Sequence, residues 1–234
     1  RAGVPLLEIV SEPDMHSDEE AFVYVTEIRK IVRYLQICDG NMEEGSMRCD
    51  ANISIRLHGE KTLGTKVEVK NLNSIRNVKR AIEFETNRLI HLIENGEKVI
   101  QQTRSFDASN GTTFSLRTKD EANDYRYFPE PDLAPFFISD EKIESIKKSL
   151  PELPATLEKK FIEEYSLPLS DAKVLCDDRE TASLFTYIIA YSKNYKSAAN
   201  WILGPIKSYL NEGNIAIEKL PVSAKTFAKL IEIV

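Results

Sequence analysis

The sequence predicts an α+β fold, an antiparallel sheet domain followed by an all-α domain, and three observations predict it. Four segments before residue 138 (47–56, 64–71, 99–106 and 112–117) alternate apolar and polar residues with the period of a strand. Two longer segments, opening at Ser17 and Ser74, carry apolar residues at helical spacing. From Ser139 to about Gly213 only helical patterns occur. These breaks give three parts: a sheet domain over 1–138, a helical domain over 139–217, and a linker with one further helix over 218–234.

With 234 residues, 42% hydrophobic and 29% charged, the chain is long and apolar enough to bury a core. A net charge of −6 argues against coating nucleic acid non-specifically, though not against a local basic patch. The three cysteines, Cys38, Cys49 and Cys176, are widely spaced, which argues against a zinc site or disulfide framework and for a reducing compartment. No apolar run approaches the ~20 residues that cross a bilayer. The chain opens on Arg1, inside what reads as a loop or strand, so it is expected to be a fragment with part of its sheet preceding Arg1.

Residues 4–11, Val-Pro-Leu-Leu-Glu-Ile-Val-Ser, read as a buried strand, with Pro5 suited to its start. Glu8 inside that run needs an ion-pair partner or a ligand, because an unpaired buried carboxylate is costly. Ser17-Asp-Glu-Glu20 is a capping box. The helix it opens is expected to run to about Ile37 on a stripe of Ala21, Val25, Ile28, Val32 and Leu35.

The stretch from Gly40 to Arg56 begins as a loop carrying Glu43 and Glu44 and becomes a strand. Met47, Cys49, Ala51, Ile53 and Ile55 fall on one face; Arg48, Asp50, Asn52, Ser54 and Arg56 fall on the other. A turn at His58-Gly59-Glu60-Lys61 leads to a second strand, with Val67 and Val69 opposed to Lys66, Glu68 and Lys70. Paired as a hairpin, the two strands bring four cations and two anions to one face. Such a face is either a half-exposed sheet surface or a seat for a polyanion with a metal.

Ser74 caps a helix over Ile75 to about Glu94, closed by Gly96. Two strands follow around the turn Ser109-Asn110-Gly111. Next comes a stiff loop with Tyr125, Arg126, Tyr127, Phe128, Glu130 and two prolines, whose aromatics and carboxylates suit a site-lining role. Beyond Ser139, short helices are expected over 155–165, from a cap at Ser170-Asp171 to Cys176, over 180–191, and over 198–210 interrupted by Gly204-Pro205. Ser223 caps a last helix from Ala224.

Four stretches, Arg1 to Asp14, Asn41 to Asn52, Gly64 to Asn73 and Arg126 to Leu133, resemble in order the GatB subunits of the tRNA-dependent amidotransferases. The resemblance covers essentially the whole chain, including the helical region and the start of a YqeY-like tail. It implies a cradle domain related to glutamine synthetase, then a helical domain. It also implies a carbon–nitrogen ligase that uses ATP and Mg²⁺ to phosphorylate the side-chain carboxylate of Glu-tRNA(Gln) or Asp-tRNA(Asn). Ammonia from a partner amidase subunit, GatA, would then displace the phosphate. Implied partners are that amidase, the small GatC subunit and misacylated tRNA, with no membrane, in the cytoplasm of a bacterium or an organellar matrix. The alternative is a tRNA-binding scaffold without catalysis. With that chemistry in view, Glu43, Glu44, Asp50 and Lys70 are the candidate catalytic residues. Arg48, Lys66, Arg126 and Asn71 are candidates for the nucleotide, and Glu8, Glu12 and Glu68 for the metal. The family also carries sheet strands and a metal motif ahead of the position of Arg1.

Overall fold

The computed structural model describes residues 5–118, 131–132 and 134–233. The chain divides into two compact units, residues 1–28 with 41–147 and residues 29–40 with 148–234. Each is built around its own apolar cluster.

In the first unit, residues 5–11 are not the expected buried strand. They are coil, with Leu6 93% and Val10 81% exposed and Glu8 and Glu12 in water. A strand is held by its ladder, and the described residues offer this segment no ladder partner, so its apolar pattern alone does not order it. The capping box at the start of α1 (Asp18–Tyr34) forms as expected: the Glu20 amide donates to Ser17 Oγ at 3.1 Å, and the Glu20 carboxylate accepts from the His16 amide at 2.5 Å. Ala21 and Val25 are buried, Val25 in the core of this unit.

Four strands make one sheet in the order β1 (Cys49–Ile53), β2 (Val67–Leu72), β3 (Gln102–Asp107), β4 (Thr112–Thr118). The β1–β2 and β3–β4 pairs are antiparallel, but β2 and β3 run parallel. The sheet is therefore mixed, which corrects the expectation of an antiparallel sheet. The cause is α2 (Ile75–Glu94), the crossover between β2 and β3 that parallel neighbours require. Its ends are those the sequence marks. Ser74 Oγ accepts from the Asn77 amide at 3.1 Å, and Gly96, at φ +74°, closes the last turn. Val78, Ala81 and Leu89 of α2 join Val67, Val69, Leu72, Ile53 and Phe106 in the core.

Two backbone positions fix how β1 meets β2. Gly64 lies so close to the Ile55 carbonyl that an added Cβ would fall 2.1 Å from its oxygen, so no other residue fits there. Asn71 has φ +65° and forms a bulge, with Cys49 facing Leu72 but Ala51 facing Val69. The extra residue returns Leu72 to the core after Val69. The Asn71 side chain donates to the Phe106 carbonyl at 3.2 Å.

The second unit is helical: α3 (Asp140–Ser149) closes the first, and α4 (Pro154–Glu163), α5 (Leu169–Leu175), α6 (Arg179–Ile189), α7 (Tyr195–Trp201), α8 (Lys207–Gly213) and α9 (Ala224–Ile233) follow. The cap of α5 is Pro168, not Ser170, and Asp178 caps α6 through the Thr181 amide at 2.7 Å. At Gly204-Pro205 the helix is not broken. Residues Ile202–Ile206 widen into a π-turn that absorbs the missing proline donor and keeps Ile202 and Ile206 buried. Phe161, Phe185, Leu175, Ala198 and Phe227 form the core, and Trp201 meets the Phe227 ring edge-on at 6.1 Å.

The last turns of α1 belong to this unit, a feature the apolar stripe does not reveal. Tyr34, 1% exposed, shares its hydroxyl hydrogen between the carbonyls of Cys176 at 2.9 Å and Asp178 at 3.2 Å. Tyr34→Phe is expected to cost about 1 kcal/mol in urea denaturation. Burial raises the Tyr34 pKa above its usual 10.0, so above about pH 10 the unfolded chain ionises first and stability falls. The Phe variant is expected to lack that share of the alkaline loss.

Candidate functional site

The face of the sheet turned away from α2 gathers the charged residues that alternation assigns to it. Asn52 of β1 stands opposite Glu68 of β2, and the Asn71 bulge leaves Asp50 alongside Lys70. Lys70 Nζ sits 2.7 Å from Asp50 Oδ2 and 3.2 Å from Glu68 Oε1, one ammonium between two carboxylates. The parallel register then sets Thr103 of β3 beside Glu68, and its hydroxyl donates to Glu68 Oε2 at 2.8 Å. Thr103 is 1% exposed, and the Asp50 and Lys70 side chains remain 46% and 37% open to solvent. The hydrogen bond to Asp50, then that to Glu68, holds the Lys70 pKa above its usual 10.5 against partial desolvation, so Lys70 is a cation throughout the neutral range.

The loop before β1 is held by one side chain. Asn41 Oδ1 accepts the amides of Glu43 at 3.0 Å and Glu44 at 3.4 Å, and the Asn41 carbonyl accepts those of Ser46 and Met47. Met42 is buried beneath, so Glu43 and Glu44 project into solvent. Arg48 is exposed beside this turn, its guanidinium 3.8 Å from where a Cβ on Gly45 would stand. Lys66 is exposed just ahead of β2.

Of the residues singled out in the sequence, the structure brings Asp50, Glu68 and Lys70 into contact and sets Glu43, Glu44 and Arg48 on the loop feeding the same strand. It does not gather Glu8 or Glu12 with Glu68: both lie on exposed coil. The amide of Asn71 is spent on the bulge. Arg126 and Glu130, with Tyr125, Tyr127 and Phe128, lie outside the described residues. Two participants went unseen in the sequence. Thr103 becomes a neighbour of Glu68 only through the parallel pairing across α2. Glu85, fully buried on α2, joins Arg88, Thr113 and Arg104 on the helix-covered face. A signal for it was present, since Val78, Ala81, Glu85 and Leu89 share one helical stripe.

Among the described residues no three of His, Cys, Asp and Glu gather as a metal group. Mg²⁺ carried on nucleotide phosphates needs fewer protein ligands, commonly one or two carboxylates with the rest from water and phosphate. Two carboxylates flanking an ammonium, with Arg48 and Lys66 nearby in sequence on the β1 and β2 entries, fit that chemistry: oxygen donors for a hard cation and fixed cations for phosphate oxygens.

A mixed sheet backed by a crossover helix, bearing a carboxylate–lysine face and joined to a helical unit, defines a two-unit α+β protein with a polar sheet surface as its candidate centre. Residues 1–144 match the family described as the GatB/GatE catalytic domain, and residues 183–234 match the GatB domain. The chain belongs to the GatB family. Similar proteins include those of Trichlorobacter lovleyi, 52% identical over 234 residues, Bdellovibrio bacteriovorus, 47%, and Thermodesulfovibrio yellowstonii, 48%. Each carries the name of the second, or B-type, subunit of an aspartyl/glutamyl-tRNA(Asn/Gln) amidotransferase. All of this chain is covered in each case, and it spans 49% of the relative's length. No helix among the described residues is long and apolar enough to cross a membrane.

Proposed function

We propose that this chain forms part of the centre at which an aminoacyl-tRNA carboxylate is activated with ATP and Mg²⁺ and then amidated. The observation that carries this is the Asp50–Lys70–Glu68 array on the sheet face of the matched catalytic domain. Phosphoryl transfer asks a protein for positioning and charge neutralisation rather than covalent chemistry. Magnesium-bound ATP would supply the phosphoryl group that turns a poor leaving oxygen into phosphate. Asp50 and Glu68 provide oxygen ligands, Lys70 offsets phosphate charge, and Arg48 and Lys66 lie at the rim to bind phosphate oxygens. Glu43 and Glu44, on their fixed turn, are the candidates for directing the amine. The reading extends to a cradle related to glutamine synthetase, the amidase GatA and the small GatC as partners, misacylated Glu-tRNA(Gln) or Asp-tRNA(Asn) as substrate, and the cytoplasm or an organellar matrix as compartment.

The test uses the full-length subunit assembled with its partner subunits. Glu43→Ala and Asp50→Ala are expected to abolish ATP-dependent formation of the phosphorylated intermediate, followed with γ-labelled ATP, while tRNA binding in a filter assay persists. Wild-type amidation by both variants would remove the chemistry from this face and leave a tRNA-binding scaffold.

A further inference from the structure

We infer that Thr103 is a positioning residue for this centre, setting the orientation of Glu68 toward Mg·ATP; the inference rests on the function proposed above. Nothing in the sequence marks Thr103 out. It lies in a polar-alternating strand among Gln101, Gln102 and Ser105. The parallel β2–β3 register makes it the cross-strand neighbour of Glu68. There its hydroxyl donates to Glu68 Oε2 at 2.8 Å, while Lys70 Nζ lies 3.2 Å from Oε1.

Each carboxylate oxygen thus has its own partner, and the plane of the carboxylate is set by both. Lys70 alone does not do this. Its flexible stem also serves Asp50 at 2.7 Å, and it remains 37% exposed. Thr103 is the rigid partner. Its χ1 is restricted by β-branching, its backbone is fixed in the ladder between β2 and β4, and it is 1% exposed. A β-branched residue in mid-sheet also needs no side-chain donor for its packing, so valine would fill the space equally well. The hydroxyl is what distinguishes threonine here, and the carboxylate is where it points. Removing it frees Glu68 to rotate about its terminal torsion, which is broad when unrestrained. The oxygen offered to a bound cation then loses its fixed direction.

The experiment compares Thr103→Val, Thr103→Ser and Glu68→Gln in the full-length subunit within its complex. Calorimetric titration with Mg·ATP is the main readout, with thermal unfolding and glutamine hydrolysis by the amidase subunit alongside. Thr103→Val is expected to raise the Mg·ATP Kd by about tenfold, the effect of one hydrogen bond to a charged group. Thr103→Ser is expected to restore it, and glutamine hydrolysis to stay unchanged. A purely structural role would lower the unfolding midpoint and leave the Kd of the folded complex where it was. If Thr103→Val lowers that midpoint, Thr103→Ala is titrated in its place under the same criterion. Wild-type Kd in Thr103→Val, with Glu68→Gln weakened, overturns the role of Thr103 and leaves the proposed function standing. Wild-type Kd in Glu68→Gln overturns both.

Discussion

Replacing Glu85 with alanine is expected to destabilise the sheet-bearing unit by about 3–5 kcal/mol, the cost of removing one partner from a buried ion pair. Glu85 is fully buried. Its Oε1 accepts from Arg88 Nε at 2.8 Å and also from Arg88 Nη2. Its Oε2 accepts from the Thr113 hydroxyl at 2.7 Å and lies 3.4 Å from Arg104 Nε. Thr113 in turn accepts from Arg104 at 2.8 Å, and its carbonyl accepts from Arg104 Nη2 at 2.7 Å. Burial alone presses the Arg104 pKa downward and Glu85 opposes that shift, so without Glu85 a desolvated guanidinium is left with no anion. Glu85→Gln keeps the shape and an acceptor for Thr113 and should cost less. Urea denaturation of the two variants, with an Arg104→Met/Glu85→Ala double-mutant cycle, measures the coupling. Equal, small losses in both would show that the network contributes shape and not charge. Because Glu85 occupies the helix-covered face, the folded fraction of either variant should bind Mg·ATP as wild type does.

Lys70→Met, made in the full-length complex, is expected to lower kcat/KM for ATP-dependent amidation by about 10²–10³-fold, the usual effect of losing a preorganised group that meets developing charge. The variant leaves Asp50 and Glu68 side by side without their shared cation, so the face turns from near-balanced to repelling phosphate. Lys70→Arg retains the charge but not the compact ammonium that fits between two oxygens, and partial activity is expected. Since the Lys70 pKa lies above its usual 10.5, its deprotonation does not shape the activity profile between about pH 6 and pH 9. A descending alkaline limb there that disappears in Lys70→Met would contradict this placement.

The charged face was legible in the sequence because strand alternation is a short-range rule: Arg48, Asp50 and Asn52 against Cys49, Ala51 and Ile53 needs no knowledge of the rest of the fold. The caps at Ser17 and Ser74 were legible for the same reason. What was missed depends on distant partners. Residues 5–11 have the composition of a strand, but composition does not supply a ladder. The orientation of β3 depends on α2 crossing between it and β2, which the strand's own residues do not encode. Tyr34 lies off the apolar stripe of its helix because its last turns pack with residues more than a hundred positions later. Glu85 was passed over because a carboxylate in an apolar stripe reads as solvent-facing until its arginines are seen. Each error is a failure of local pattern to report a tertiary partner.

The parallel seam between β2 and β3 also orders the assembly of the unit in time. The β3–β4 hairpin closes through a tight turn from Asp107 to Gly111 and can form within its own stretch of chain. The β2–β3 pairing must wait until the whole of α2 has been made and laid across, a loop closure with a larger entropic barrier. Asp50, Glu68 and Lys70 sit on one side of that seam and Thr103 on the other. The chain thus completes its charged face only as this slow, long-range step finishes, so a nascent or partly unfolded molecule lacks the hydrogen bond that orients Glu68.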